Sequence, residues 1–264
     1  MVPSLGLGTW RMGESRRRRS TEAAALKEAI DLGMTVIDTA EMYADGSAES
    51  LVGEAIEGRR EEVFLVSKVL PSHARRRATL AACEKSLGRL RTGHLDLYLL
   101  HWRERTPLRE TVDAFTELAE SDGIRQWGVS NFDIVDMEEL ERTPGGAAVA
   151  SNQVLYNLRR RGIEHDLLPW CRERGIPIMA YSPIEQGELL EHPVVRRIAT
   201  RHDATPAQVA LTWIAAQPAV VSPIASATTP EQVRDIAASM HLQLSDDEIR
   251  ELSQAGRARV GSTD

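Results

Sequence analysis

With 264 residues, 42% of them hydrophobic and 27% charged, the chain is long enough to bury one large core and has the composition of an ordinary globular protein. The formal charge of -7 argues against a general nucleic-acid binder, and no apolar run approaches the roughly 20 residues that span a bilayer. The opening MVPSLGLGTW lacks the basic and apolar segments of a signal peptide. We therefore expect a single domain, over residues 1–264, in the cytoplasm.

Eight short apolar runs predict eight strands that are covered on both faces. The predicted strands are Leu5–Trp10, Thr35–Ala40, Val63–Val69, Leu95–His101, Arg125–Asn131, Ala150–Leu155, Pro177–Ser182 and Ala219–Ala225. Because helical segments separate them, the pattern is typical of a parallel α/β fold, and the length matches the roughly 250 residues of a (β/α)₈ TIM barrel. An open doubly wound sheet is the alternative, although no predicted strand is followed by G-x-G-x-x-G.

Helix signals fill the gaps between these strands. Thr21–Leu32 begins with a capping threonine, and Leu108–Glu120 follows a proline, which suits a first helical turn. Thr-Pro pairs predict two further helices that begin at Pro206 and Pro230. The sequence SDDE at Ser245–Glu248 predicts a capping box before a terminal helix.

Four polar side chains stand at or just past the ends of three predicted strands. They are Asp38, Tyr43, Lys68 and His101. Because strand C-termini meet at one face of a parallel barrel, we expect the four to share a pocket. An acid, a phenol, an amine and an imidazole suit proton transfer to a carbonyl oxygen. Reduction of that carbonyl also needs a hydride, which no side chain supplies, so a nicotinamide cofactor is implied.

The four residues suggest a division of roles. Tyr43 is the candidate general acid, but a free tyrosine has a pKa of about 10, and we expect the Lys68 ammonium to lower it. Asp38 would hold Lys68 charged and oriented, and His101 would orient the substrate oxygen or share in proton transfer. Lys68 also fits a different chemistry, a Schiff-base lyase that needs no Tyr43.

Seven motifs resemble those of the aldo-keto reductases, and the segments TAEMYADG, NQVLY and GIEHDLLPWC most resemble members of the methylglyoxal-reductase type. The motifs are GLGTW at 6–10, IDTAEMYADG at 37–46, VSKV at 66–69, LDLYLLHW at 95–102, GVSNF at 128–132, SNQVLY at 151–156 and AYSP at 180–183. The resemblance implies a TIM barrel that reduces small aldehydes and ketones to alcohols. It also implies that the N-terminal hairpin of most members is missing or reduced here. A nucleotide-binding sensor barrel, like the potassium-channel β-subunits, is the alternative within the resemblance.

The resemblance also implies a cofactor site along the strand ends. Ser130, Asn131 and Gln153 match the residues that hold the nicotinamide carboxamide, and Tyr181 matches the aromatic residue that stacks on its ring. The other cofactor-binding residues that it implies are Thr9, Trp10, Asp38, Ser182, Pro183, Ile184, Gln186, Ile224, Ala225, Ser226, Ala227, Thr228 and Gln232. The resemblance implies NADPH as the cofactor. Ser226 and Gln232 replace a Lys and an Arg that bind the adenosine 2′-phosphate in many members, so weak discrimination against NADH, or use of NADH, is the alternative.

The substrate pocket is expected to have apolar and aromatic walls, which suit a small carbonyl compound. The residues that the resemblance places there are Trp10, Met12, Met42, Tyr43, His101 and Trp102. Cys83 and Cys171 are expected to be free thiols, and no Cys/His cluster has the spacing of a metal site. We expect a monomer without a metal, a membrane contact or a nucleic-acid partner.

Overall fold

Residues 5–257 form a closed barrel of eight parallel strands. They are described by a computed structural model, in which the side chains of residues 186, 188, 189 and 257 are not described. The strands are β1 (Gly6–Gly8), β2 (Val36–Asp38), β3 (Phe64–Val69), β4 (Leu95–Leu100), β5 (Ile124–Ser130), β6 (Asn152–Leu155), β7 (Ile178–Tyr181) and β8 (Val220–Ser226). Each strand pairs with the next, and β8 pairs with β1 to close the barrel, so the predicted fold class is confirmed. The expected loss of the hairpin concerns residues 1–4, which lie outside the described residues.

Helices form the outer layer of the barrel. Within residues 5–257 they are α1 (Arg19–Asp31), α2 (Ser47–Ala55), α3 (Arg76–Leu90), α4 (Leu108–Glu120), α5 (Ile134–Arg142), α6 (Leu167–Glu173), α7 (Pro193–Arg201), α8 (Pro206–Ala215), α9 (Pro230–Ala237) and α10 (Asp246–Arg257). Short 3₁₀ turns at Tyr43–Gly46 and Glu185–Glu191 follow β2 and β7. None of the helices in this part of the chain combines the length and the apolar character that a membrane crossing requires.

Three of the helix starts for which the sequence predicts a cap have that cap in the structure. Thr205 and Thr229 accept the N–H groups of Gln208 and Gln232 and cap α8 and α9. The capping box before α10 is also present, because Ser245 and Glu248 exchange side-chain to backbone hydrogen bonds. The helix α1 differs: it begins at Arg19, two residues before Thr21, and has no side-chain cap.

The core has an inner and an outer part. Alternating side chains fill the inside of the barrel, including those of Val36, Val66, Leu99 and Met179. The outer part lies between the barrel and the helices and contains most of the buried apolar residues. Near the C-terminal ends of the strands the inner side chains change from apolar to polar, and this change creates the site.

Both cysteines lie in the outer layer as free, buried thiols. Cys83 belongs to α3 and Cys171 to α6. Both are free, as the sequence predicts. Burial raises the pKa of each thiol to about 12, so neither is a thiolate near neutral pH.

Candidate active site

The strand ends bring the four predicted polar side chains together as a tetrad of Asp38, Tyr43, Lys68 and His101. Asp38 is the last residue of β2, Lys68 lies near the end of β3, and His101 directly follows β4. Tyr43 begins the 3₁₀ turn after β2. All four side chains are buried or nearly so, so their mutual contacts take place in a medium of low dielectric constant.

Lys68 is the centre of this group. Its Nζ donates to Oδ2 of Asp38 at 2.6 Å, to the carbonyl of Thr39 at 2.9 Å and to the hydroxyl of Tyr43 at 3.2 Å. Burial by itself would lower the pKa of Lys68, but the Asp38 carboxylate and the Tyr43 oxygen outweigh it and raise the pKa above its ordinary value. The three N–H donors of the ammonium are therefore all engaged, and Lys68 is charged at neutral pH.

The environment of Tyr43 corrects one expectation. Burial raises the pKa of the phenol, and the neighbouring Asp38 carboxylate adds to this, while Lys68 lowers it by less. The expected net lowering is therefore wrong, because the sequence shows the Lys68 charge but not the cost of placing a phenolate in a buried site. Tyr43 keeps its proton throughout the neutral pH range.

His101 is a neutral side chain. Burial and the positive charge of Lys68 lower the pKa of its imidazole to about 3. Its Nδ1 is buried without a hydrogen-bond partner among the described residues. The tautomer with the proton on Nε2 leaves Nδ1 as an unpaired acceptor rather than an unpaired donor, so we assign that tautomer. The ring lies 5.8 Å from that of Tyr43, edge to face.

A second set of polar groups continues from the first along β5, β6 and β7. Gln153 donates from Nε2 to Oδ1 of Asp38 at 2.7 Å, and Ser130 donates to the carbonyl of Gln153 at 2.8 Å. Asn131 donates to the carbonyl of His101 at 3.0 Å and accepts from the hydroxyl of Tyr181 at 2.8 Å. The four residues with which the resemblance associates the nicotinamide thus lie beside the tetrad.

The ends of β1 and β7 carry further residues that the resemblance assigns to the cofactor. Thr9 is buried, and both its N–H and its hydroxyl donate to the carbonyl of Asp38, at 2.9 and 3.1 Å. Ser182 has a left-handed backbone (φ +51), and its carbonyl accepts from Asn157 at 2.9 Å. Pro183 is buried and Ile184 half-buried. The side chain of Gln186 lies outside the described part of the molecule.

The end of β8 and the start of α9 form the remaining part of the predicted cofactor site. Here Ile224, Ala225 and Ala227 are buried, while the Ser226 side chain is exposed. Oε1 of Gln232 accepts the N–H of Thr228 at 2.9 Å and lies 3.3 Å from its hydroxyl. The nearby cation Arg234 pairs with Glu28 of α1 at 2.7 Å.

Two aromatic residues predicted to line the substrate pocket pack against members of the tetrad. Trp10 is 48% exposed and packs edge to face on Tyr43 with 5.1 Å between ring centroids. Trp102 packs in the same way on His101 at 4.9 Å, and Met42 is half-buried. Met12 is different: it is fully buried in the outer core, so it does not line an open pocket. It directly follows Arg11, whose backbone is left-handed (φ +67).

Two acidic residues near the tetrad, the half-buried Glu41 and the buried Glu49, have no role that the sequence predicts. Glu41 accepts the N–H of Leu70 at 2.7 Å and Nδ1 of His73 at 2.9 Å, which ties the β2 loop to the β3 loop. Glu49 of α2 is completely buried beside β3. The only signal in the sequence is that each carboxylate falls within an otherwise apolar or small-residue segment around Tyr43.

Comparisons with known proteins agree with this geometry. The model of the aldo/keto reductase family matches residues 4–257. Methylglyoxal reductase YeaE of Escherichia coli is 50% identical over 267 residues, which cover 99% of this chain and 94% of that protein. An aldo/keto reductase from Klebsiella pneumoniae, solved with NADP and acetate, superposes with a TM-score of 0.93 at 50% identity, covering 96% of this chain and 91% of that one. The glyoxal reductase of Bacillus subtilis is 35% identical over 80% of this chain and 74% of that protein.

Proposed function

The chain belongs to the aldo/keto reductase family, and on that premise we propose that it reduces small aldehydes and ketones to alcohols with NADPH. Methylglyoxal and similar dicarbonyls are the proposed substrates, since methylglyoxal reductase and glyoxal reductase are among its relatives. The observation that carries the proposal is the position of Lys68, which contacts both Asp38 at 2.6 Å and the Tyr43 hydroxyl at 3.2 Å. The assignment of roles below is part of the same proposal.

Tyr43 donates the proton that the carbonyl oxygen takes up. Its pKa is raised by burial, so the proton is present at neutral pH, and the ammonium of Lys68 lies beside the oxygen on which negative charge develops as the proton leaves. Asp38 keeps Lys68 in place from the other side. In this arrangement Lys68 stabilises the product phenolate rather than the resting phenol.

His101 and the aromatic rings orient the substrate. The neutral imidazole donates from Nε2 to the carbonyl oxygen and so places that oxygen beside the Tyr43 hydroxyl. Because the pKa of His101 is about 3, it does not act as a cationic acid near neutral pH. Trp10 and Trp102 supply apolar walls that exclude water from the reacting group.

The residues at the ends of β5, β6 and β7 fit a nicotinamide cofactor, which supplies the hydride when it is bound. The amides of Asn131 and Gln153 and the hydroxyl of Ser130 are donors and acceptors of the kind that a carboxamide pairs with. Tyr181 offers an aromatic surface beside them. These side chains would hold the ring and select the face that points at the substrate.

The geometry of Lys68 opposes the Schiff-base alternative. A nucleophilic lysine needs a neutral amine, which proteins obtain by lowering its pKa. Here Asp38 and Tyr43 raise the pKa of Lys68. All three N–H groups of Nζ are engaged in contacts with the protein, so attack on a substrate carbon would require breaking these contacts.

We propose a cytoplasmic monomer. Among the described residues the large apolar side chains with the greatest exposure are Trp10 at 48%, Leu32 at 39% and Val135 at 65%. Trp10 follows β1, and Val135 follows β5 on the opposite side of the closed barrel, whereas Leu32 follows α1 at the other end of the barrel. The three side chains therefore do not form a continuous apolar patch of the kind that marks a permanent interface. Light scattering with size-exclusion chromatography tests the proposed state.

The function is tested by NADPH oxidation with methylglyoxal, in the wild type beside Tyr43→Phe. Turnover in the wild type and near-complete loss in Tyr43→Phe, with unchanged NADPH affinity, is the expected result. A wild type that binds NADPH but reduces none of a panel of simple aldehydes, ketones and dicarbonyls would contradict the proposal and favour the sensor alternative.

A further inference from the structure

The backbone directly after Tyr43 is strained. Ala44 (φ 48, ψ 42), Asp45 (φ 50, ψ 42) and Gly46 (φ 83, ψ -2) are three consecutive residues in the left-handed region. Side chains other than glycine are disfavoured there, and such strain persists only where the surrounding structure imposes it.

Arg89 of α3 is one of the groups that surround the turn. A Cβ added to Gly46 would lie 2.6 Å from Cδ and 2.7 Å from Nε of Arg89, so the arginine packs directly against the turn. Ser50 holds the turn from the other side, because its hydroxyl donates to the carbonyl of Gly46 at 3.2 Å. The glycine is required both for its left-handed backbone and for this close approach.

Glu49 fixes Arg89 in this position. Oε2 of Glu49 accepts from Nε of Arg89 at 2.6 Å, and Nη2 of Arg89 donates to the Ser86 hydroxyl at 3.1 Å. The Glu49 side chain is completely buried and that of Arg89 is 27% exposed. A pair with this burial is held far more rigidly than a surface ion pair.

The same carboxylate reaches the strand that carries Lys68. Oε1 of Glu49 accepts the hydroxyl of Ser67 at 2.5 Å, and Ser67 is fully buried. Adjacent residues of a strand point to opposite faces, so Ser67 faces α2 while Lys68 points into the barrel. Glu49 thus contacts β3 immediately before Lys68 and, through Arg89, contacts the turn immediately after Tyr43.

We propose that Glu49 and Arg89 are positioning residues that set the separation between the Tyr43 hydroxyl and the Lys68 ammonium from outside the barrel. The proposal rests on the proposed reduction, in which these two groups act together. Neither residue touches the reacting atoms, so their effect is on the geometry of proton transfer and not on the binding of nucleotide.

The test compares Arg89→Met, which keeps length but removes charge, with Arg89→Lys, which restores a cation. The matched control is Arg60→Met. Arg60 pairs with Asp96 at 2.7 Å, with side chains 16% and 20% exposed. This pair lies where β3 and β4 begin, at the end of the barrel opposite to the active site. Three properties are measured in each variant: kcat with methylglyoxal, Kd for NADPH, and the pH titration of the Tyr43 signal in fluorotyrosine-labelled protein, assigned with Tyr43→Phe.

We expect Arg89→Met to lower kcat by roughly 10- to 100-fold, as displacements of about 1 Å do, with Kd for NADPH unchanged. Its Tyr43 signal shifts and titrates at a different pH, Arg89→Lys recovers part of both effects, and Arg60→Met changes neither. Equal kcat and an unchanged Tyr43 signal in Arg89→Met and Arg60→Met would overturn the proposal.

Two further outcomes distinguish a failure of this proposal from misfolding of the variant and from a failure of the proposed function. If Arg89→Met does not fold, Ser67→Ala removes the other partner of Glu49 with little change in volume, and the same pattern is expected at smaller amplitude; an unchanged Tyr43 signal there overturns the proposal. If the wild type does not reduce carbonyl compounds, the proposed function fails, while the Tyr43 titration still decides whether Glu49 and Arg89 position that side chain.

Discussion

The Nζ of Lys68 lies 2.6 Å from Oδ2 of Asp38, and the two side chains are only 1% and 4% exposed. Removing one partner of such a pair leaves the other charge unpaired in the interior, whereas removing both partners does not. This asymmetry separates the structural contribution of the pair from its proposed contribution to the chemistry.

We predict that Lys68→Met lowers the free energy of unfolding by about 3–5 kcal/mol, because the Asp38 carboxylate is left without a cation. The double variant Asp38→Asn/Lys68→Met recovers most of this loss, and neither variant reduces methylglyoxal. Urea unfolding and NADPH oxidation measure the two effects. A double variant as unstable as Lys68→Met, or a Lys68→Met variant with more than a tenth of wild-type turnover, would contradict the assignment.

His101 makes the stability of the fold depend on pH. Its pKa is about 3 in the folded protein, against about 6.5 in an unfolded chain, so between these values only the unfolded state takes up a proton. Stability is therefore lost as the pH falls below about 6.5. We expect a loss of about 2 kcal/mol from this residue between pH 7 and pH 5, at 1.36 kcal/mol per unit. Urea unfolding of wild type and His101→Gln at both pH values measures it; equal pH dependence in the two proteins would sink the prediction.

The exposed Ser226 side chain is the point at which cofactor preference can be changed. With no cation at Ser226 or Gln232, and Arg234 paired with Glu28, we expect the wild type to bind NADPH less than a hundredfold more tightly than NADH. Ser226→Lys adds a charge-assisted contact of about 1.5–3 kcal/mol for the 2′-phosphate, so it tightens NADPH by tenfold or more and leaves NADH unchanged. Fluorescence titration with both cofactors gives the constants, and Ser226→Ala is the control.

Much of the fold follows from the sequence because its signals are local. Apolar runs and helix caps are properties of neighbouring residues. The prediction of eight strands and of the helix Leu108–Glu120 therefore agrees with the structure. The order of the strands then brings Asp38, Lys68 and His101 to one face without further information.

What the sequence does not show depends on burial and on distant contacts. The pKa of Tyr43 is raised because desolvation exceeds the effect of Lys68, and no motif records the degree of burial. Glu49 escaped notice because its partners Ser67 and Arg89 are 18 and 40 residues away along the chain. The burial of Met12 is not predicted either. Arginine usually avoids a positive φ, so the sequence gives no sign of the left-handed turn at Arg11 that precedes it.

The loop that carries Trp10 is held by a buried carboxylate. Oε2 of Glu22 accepts the N–H of Gly13 at 2.9 Å, and Glu22 is completely buried. Its other neighbour, Arg18, is exposed and 3.5 Å away, so that pair contributes little. Backbone hydrogen bonds of Thr9 and Met12 also hold this loop. Glu22 contributes through its bond to Gly13, whose backbone is left-handed (φ +79).

We predict that Glu22→Ala destabilises the protein by about 1 kcal/mol, because the half-buried N–H of Gly13 loses its acceptor. The variant also raises KM for methylglyoxal, because Trp10 loses its fixed position against Tyr43. Glu22→Gln keeps an acceptor oxygen at the same place and retains a KM near that of the wild type. Glu14→Ala, which removes the exposed partner of the same Arg18 at 3.8 Å, is the matched control and changes neither quantity. Urea unfolding and steady-state kinetics measure both effects; a Glu22→Ala variant with wild-type KM would show that Trp10 is positioned by other contacts.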